Sequence, residues 1–184
     1  MTLRKKTLLI VGITLAGLFA LLYITIQTVV LNSFVKLEQE QTNQNVTRIR
    51  AALLDQLAKL NSTAGTWAAR DDTYAYIQNH DETYISSNIS EDAMANLGLN
   101  VVLFFDTSDH IVFSQATDSK SGAVGPIPQS LKVYLANNNF ILHHNTPTSS
   151  LSGVISLPEA PLFFTSRPIV TSEFQGPIRG TLIM

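Results

Sequence analysis

The chain of 184 residues contains no cysteine. Disulfides, thiolate nucleophiles and cysteine-bound metals are thereby excluded. Charge is scarce too: Asp, Glu, Lys and Arg make up 14% of the sequence, against about 25% in an ordinary soluble domain. The shortfall is local, because Thr7 to Leu31 carries no charged residue at all. Proline is missing from Asn32 to Thr66, and the only glycine in that stretch is Gly65. No GxSxG, HExxH, Walker or GxGxxG pattern occurs, so no nucleophile elbow, zinc helix or phosphate loop is marked. No internal repeat or low-complexity tract is present. With 45% hydrophobic residues and a mean hydropathy of +0.16, the composition excludes a disordered chain, a wholly membrane-buried one and a simple cytosolic one.

What is present starts with the uncharged segment itself. Thr7–Leu31 is 25 residues long. At about 1.5 Å per residue, a helix of that length exceeds a hydrocarbon core of about 30 Å. Arg4, Lys5 and Lys6 precede it directly, whereas Lys36 after it stands beside Glu38 and Glu40. The positive-inside bias puts residues 1–6 in the cytoplasm as a short tip and everything from residue 32 onward outside. A cleaved signal peptide competes, but its apolar core is about 7–15 residues and ends at a small-x-small site. Thr28-Val29-Val30-Leu31-Asn32 offers no such site. The expectation is a single-pass anchor in the inner membrane with an extracytoplasmic, or periplasmic, domain at 32–184. Beyond the basic tip, 9 Lys+Arg face 14 Asp+Glu. An acidic outer part does not point to nucleic acid as a partner.

From Val46, apolar residues recur at Ile49, Leu53, Leu57, Leu60, Ala64 and Trp67. Steps of three and four mark one face of a helix, so the membrane helix is expected to run on into a long outer helix. A rigid rod entering a membrane can carry a displacement; it can equally be a plain stalk. The stretch Gln78 to Asp92 reads as loop with short helical turns, and Glu91 to Leu97 as a short helix capped by Ser90. Val101–Phe105 and Ile111–Gln115, joined by Asp106-Thr107-Ser108-Asp109, read as a hairpin. Ala116 to Pro128 reads as loop, and Pro128 to Ala136 as a helix with proline at its start. Strands are expected at Leu151–Leu157, Leu162–Val170 and Ile178–Met184. The fold class is α+β, with an antiparallel sheet of about five strands and short helices. Gly180-Thr181-Leu182-Ile183-Met184 ends inside an apolar strand, which predicts that the sequence is a piece of something longer.

Chemistry-bearing residues are few. His143 and His144 are adjacent and would face opposite ways on a strand, so no metal site and no cofactor are expected. Asp71 and Asp72 sit where the long helix meets a loop, beside Trp67, Tyr74 and Tyr76. Trp67 reads first as core packing, and the acids as helix-end groups. A loop-borne tyrosine next to an acid can also hold a small polar ligand. Arg167 lies in a strand, within Ser166-Arg167-Pro168-Ile169. A guanidinium there needs an acidic partner, or suits a carboxylate ligand. The candidate ligand-binding residues are Asp71, Asp72, Tyr74, Tyr76 and Arg167.

Trp67 with Asp71, Asp72 and Tyr74, then Asn100 and Asp106, then Ser166-Arg167-Pro168-Ile169 with Ser172, Gly176-Pro177 and Gly180, together resemble the CHASE4 extracellular sensory domains. The resemblance covers most of the chain after the membrane segment. It implies a PAS/Cache-like sheet on a long N-terminal helix, and a sensor module that binds a small molecule. It also implies a cytoplasmic output domain, of diguanylate cyclase, phosphodiesterase or histidine kinase type, which this chain lacks; no catalytic residue is expected here. The bilayer, an unidentified small-molecule ligand and a second copy along the long helix are the expected partners. The rival readings are a pilin-like or other anchored structural protein, disfavoured because the first acid is Glu38, and an anchored hydrolase.

Overall fold

A computed structural model of the chain describes residues 3–118 and 122–184. Met1 and Thr2 of the expected tip, and residues 119–121 of the expected loop, lie outside them. The chain divides into two units, one up to Ala52 and one from Leu53 to Met184.

The first unit is helical. Helix α1 (Leu3–Thr25) is followed by a π-helical turn (Ile26–Val30) and by α2 (Leu31–Ala68), whose last turns belong to the second unit. Residues Leu3–Thr28 are long and apolar enough to cross a membrane, and none is buried in the protein. The hydroxyls in this stretch are satisfied locally. Thr7, Thr14, Thr25 and Thr28 each donate to the carbonyl four residues earlier, at 2.7–3.1 Å. Such back-bonding satisfies these four threonine hydroxyls within the helix itself.

The second unit is a sheet with helices on both faces. Helices α3 (Asp71–Asn79), α4 (Glu82–Asn88) and α5 (Glu91–Leu97) precede the hairpin β1 (Val101–Asp106) and β2 (Ile111–Thr117). Then come β3 (Val124–Gly125), α6 (Gln129–Asn137), a 3-10 turn (Asn139–Leu142), β4 (Leu151–Ser156), β5 (Pro161–Ile169) and β6 (Gly180–Ile183). The sheet order is β3-β2-β1-β6-β5-β4, antiparallel throughout.

Two expectations need correction. The sheet has six strands, not five. The additional one is the two-residue β3, inside the stretch read as loop, where Ala116 pairs with Gly125 and Thr117 with Val124. Two residues are too few to leave a period in the sequence. The stretch Gln78 to Asp92 is mostly helical, because α3 runs to Asn79 and α4 starts at Glu82. Its caps were readable: Asp81 accepts from the Thr83 amide at 2.9 Å, and His80 closes α3 at φ 53°. The Ser90 cap of α5 accepts from the Ala93 amide at 3.2 Å.

β1 explains the layering. All of Val101–Phe105 is buried, so its apolar run does not alternate with polar residues. Val102 and Phe104 join Tyr76, Tyr84, Met94 and Leu182 on one face. Val101, Leu103 and Phe105 join Leu131, Ile141 and Ile155 on the other. On the first face Tyr76 stacks on Tyr84 with centroids 4.8 Å apart, and Phe104 tilts against both. A Cβ at Gly180 would collide with the Phe105 carbonyl, so glycine is what lets β6 lie beside β1 there. The C-terminal end of α2 joins the end of β5: the Val170 amide donates to the Ala68 carbonyl at 3.0 Å.

Candidate functional site

The five candidate residues fall into three places. The first is a latch between α3 and the β5–β6 connection. Asp71 opens α3 and accepts from the Ser172 amide at 3.0 Å and from its hydroxyl at 2.8 Å. Those bonds hold its carboxyl below the usual carboxylate range. Tyr74, one turn later, donates its hydroxyl to the Pro177 carbonyl at 3.1 Å. Arg179 lies over the Tyr74 ring, 3.7 Å from the centroid, and donates to the Tyr74 carbonyl at 3.2 Å. Gly176 adopts φ 81°, and a Cβ there would come within 3.2 Å of the Tyr74 hydroxyl. Asp71, Tyr74, Ser172, Gly176 and Pro177 were quoted above as parts of one resemblance. They are parts of one contact, joined across 101 and 103 positions of chain.

The second place is a shallow cleft of about 320 Å³ between α3 and α4, lined by Asp72 and Tyr76 among others. Asp72 is engaged by both nitrogens of the Arg70 fork and by the Thr73 amide. Arg70 also donates to the Asn88 side chain at 3.1 Å. Tyr76 is buried, and burial pushes its phenol up. Beneath the cleft, the buried Thr73 hydroxyl meets the Tyr84 hydroxyl at 2.6 Å.

Arg167 is the third place, and it is alone among the candidates there. Its expected acidic partner is absent: among the described residues no carboxylate makes an ion pair with it. Nη1 reaches the Thr148 and Ser149 carbonyls only at 3.4 Å, and Nε is buried with no partner. The side chain lies along α2 at Gly65, where a Cβ would sit 3.1 Å from Nη2. The reason for the missing partner is topological. The strands around Arg167 and the turns of α2 that face it bring hydroxyls, alanines and a glycine to its tip, but no acid. The cavity it lines is about 500 Å³. Ser62 and Thr66 of α2 with Ala69 just after it form one side, and Val170, Ser172 and Phe174 the other.

Next to Arg167 on β5, Ser166 donates to the Ile141 carbonyl at 2.6 Å and accepts from His144 Nε2 at 2.9 Å. The other ring nitrogen meets the Ser149 hydroxyl at 3.0 Å. Ser166 has committed its proton to Ile141, so the neutral ring carries hydrogen on Nε2; the Ser149 proton goes to the Thr146 carbonyl at 2.6 Å, so Nδ1 receives none from it. Burial, reinforced by the Arg167 charge, pushes this imidazole down to about 4.

Sequence reasoning missed Gly65, Arg179 and His144 as contact residues. Gly65 had a signal: glycine in a helix interior costs about 1 kcal/mol relative to alanine and needs a packing reason. Arg179 and His144 had none, since their partners Tyr74 and Ser166 lie 105 and 22 positions away in the chain.

Solved structures and sequence families agree on the class. The fold matches the extracellular domain of a protein assigned as a histidine kinase, vpHK1S-Z8, with a TM-score of 0.55 over 79% of this chain and 55% of that one, at 16% identity. It also matches a domain assigned to a sensory box/GGDEF family protein from Vibrio parahaemolyticus, with a TM-score of 0.51 over 79% of this chain and 58% of that one, at 15% identity. At such identities the likeness is one of fold alone. The CHASE4 domain profile matches residues 52–184, and the chain belongs to the CHASE4 family. A curated relative, the methanogenesis regulatory histidine kinase FilI of Methanothrix harundinacea (strain 6Ac), is 27% identical over 188 residues. The match covers all of this chain and 21% of that protein, so the chain spans about a fifth of its relative's length.

Proposed function

We propose that the chain is the anchor and sensor of a transmembrane signalling protein. A small molecule binds the second unit, biases α2, and the change passes through Thr7–Leu31 to an output domain of histidine kinase or GGDEF type outside this chain. The observation that carries this reading is the cavity at Arg167. One of its walls is the last turns of α2, and the other is the end of β5 from Arg167 and the connection after it. A ligand there touches the helix directly. For it to signal, its affinity must differ between two positions of that helix, and each tenfold difference moves the equilibrium by about 1.4 kcal/mol.

The same reading puts the chain in the inner membrane as a single pass, with residues 1–6 inside and 32–184 outside. It also pairs two copies along α2, where Phe34, Leu37, Val46 and Ile49 are exposed. Grafting residues 1–184 onto a histidine kinase core and measuring autophosphorylation in vesicles tests the sensor role. Thr66→Trp, which fills the cavity from the exposed side of α2, is expected to change the basal rate several-fold. Glu91→Gln, away from the cavity, is expected to leave it unaltered. Equal rates for all three proteins would remove the reading.

A further inference from the structure

We propose that the cavity between the end of α2 and the end of β5 is a binding site for a small monocarboxylate anion with an apolar body, held by the Arg167 guanidinium. The inference rests on the sensor reading and names the chemistry of its ligand.

Charge comes first. A guanidinium offers five N–H donors in a planar fork. In Arg167 one of these is buried and unpartnered, and Nη1 makes only two contacts at 3.4 Å, the outer limit for such a bond. A half-buried guanidinium in that state has donors to spare, and a bidentate anion is what its geometry matches. Among the described residues the only other charged residue at the cavity is Arg70, already engaged by Asp72, and no acidic side chain lines it. An amino acid would therefore find no carboxylate for its ammonium group, and a cationic ligand would meet repulsion.

Shape comes second. Gly65 clears the space in which Nη2 lies, so a larger residue would displace the fork. Beyond the guanidinium the cavity offers hydroxyls at Ser62 and Thr66 and then an apolar wall at Pro147, Val170 and Phe174. Its volume, about 500 Å³, lies within the range of about 300–1,000 Å³ for small-molecule sites. One cationic fork followed by an apolar wall suits a carboxylate with a hydrocarbon body. A phosphate would need donors around a tetrahedron.

Backbone strain is the third observation. Phe174 is a non-glycine residue at φ 57°, a conformation that bulky side chains adopt rarely and at a cost. Its ring is half exposed at the cavity wall. A strained loop that presents an aromatic to solvent beside an unpaired cation is arranged to cover an apolar body.

The test is calorimetric titration of the full chain in lipid nanodiscs with butyrate and benzoate, their neutral amides, and inorganic phosphate. The carboxylates are expected to bind about tenfold or more tightly than the amides and than phosphate. Arg167→Met is expected to weaken carboxylate binding about tenfold or more while the chain stays folded, and Thr66→Trp to block it without touching Arg167. Phe174→Ala is expected to weaken benzoate more than butyrate. Amides or phosphate binding as well as the acids would overturn the proposal, as would unchanged carboxylate affinity in Arg167→Met, or no carboxylate binding at all. The two readings fail separately. If no carboxylate binds while Thr66→Trp still changes kinase output in the graft, the ligand class is wrong and the sensor role stands. If carboxylates bind but the graft ignores Thr66→Trp, the ligand class stands and the sensor role falls.

Discussion

Two regions beside the C-terminal end of β5 use arginine in opposite ways. In the latch, Arg179 lies on the Tyr74 ring and bonds its carbonyl, while Asp71 takes both donors of Ser172. Nearby, Arg70 and Asp72 satisfy each other and Asn88 completes the set. At the other region Arg167 has weak backbone contacts, a buried unpartnered Nε and no acid. The pairing in the latch is what a structural role needs: Asp71, Tyr74 and Arg179 each have a partner across the contact, so the connection is held at little cost in polarity. The deficit at Arg167 destabilises the folded chain unless something else supplies the partner. Residue type alone does not separate structure from recognition here; the state of the hydrogen-bond inventory does.

Substitutions can break or sharpen that contrast. The largest effect is expected beneath the α3–α4 cleft, where Thr73→Val removes one half of the buried Thr73–Tyr84 pair. Leaving a buried hydroxyl unpartnered costs about 1–3 kcal/mol, measurable as a lower denaturation midpoint at an unchanged slope.

A pH dependence comes next. His144 sits at about 4 in the folded chain against 6.5 when free. The unfolded chain therefore takes up the proton first, and stability present above pH 6.5 is lost as pH falls from 6.5 toward 4. Allowing for its partial exposure, the loss is about 1–2 kcal/mol. It should be absent from the stability–pH curve of His144→Gln, and a parallel decline in both proteins would show that His144 is not its source.

A smaller effect is expected of Tyr74→Phe, which keeps the ring under Arg179 and deletes only the bond to Pro177. That costs about 0.5–1.5 kcal/mol, together with faster amide exchange in the β5–β6 connection.

The smallest effect on stability belongs to Arg167→Met. Removing an unpartnered cation and keeping its length should leave stability within about 0.5 kcal/mol of wild type, or raise it. A loss of several kcal/mol would mean that Arg167 is a structural residue like Arg179, and the contrast would vanish.

Much of the scaffold was legible in the sequence because it depends on local chemistry. The uncharged run Thr7–Leu31 follows from hydropathy, α5 from its Ser90 cap, and the hairpin from an apolar run broken at Asp106–Asp109. β3 was not legible, since a two-residue strand has no period. The helices around Asn79 were not either, because polar residues mask a helix whose buried positions are only Thr73, Tyr76 and Ile77. Of the site, Arg167 was visible as an arginine out of place in a strand. Its lack of an acidic partner was not visible, nor was the division of Asp71 and Tyr74 from Asp72 and Tyr76.

By itself the sequence determined the apolar segment and its flanking charge, the class of fold, and the order of nearly every element. Those properties depend on residues within a few positions of one another. Tertiary structure alone decided which polar side chains are satisfied. Asp71 meets Ser172 across 101 positions, and Arg167 meets Gly65 but no carboxylate. A partner's presence or absence is a fact of distance in the folded chain, and spacing along the sequence carries no record of it.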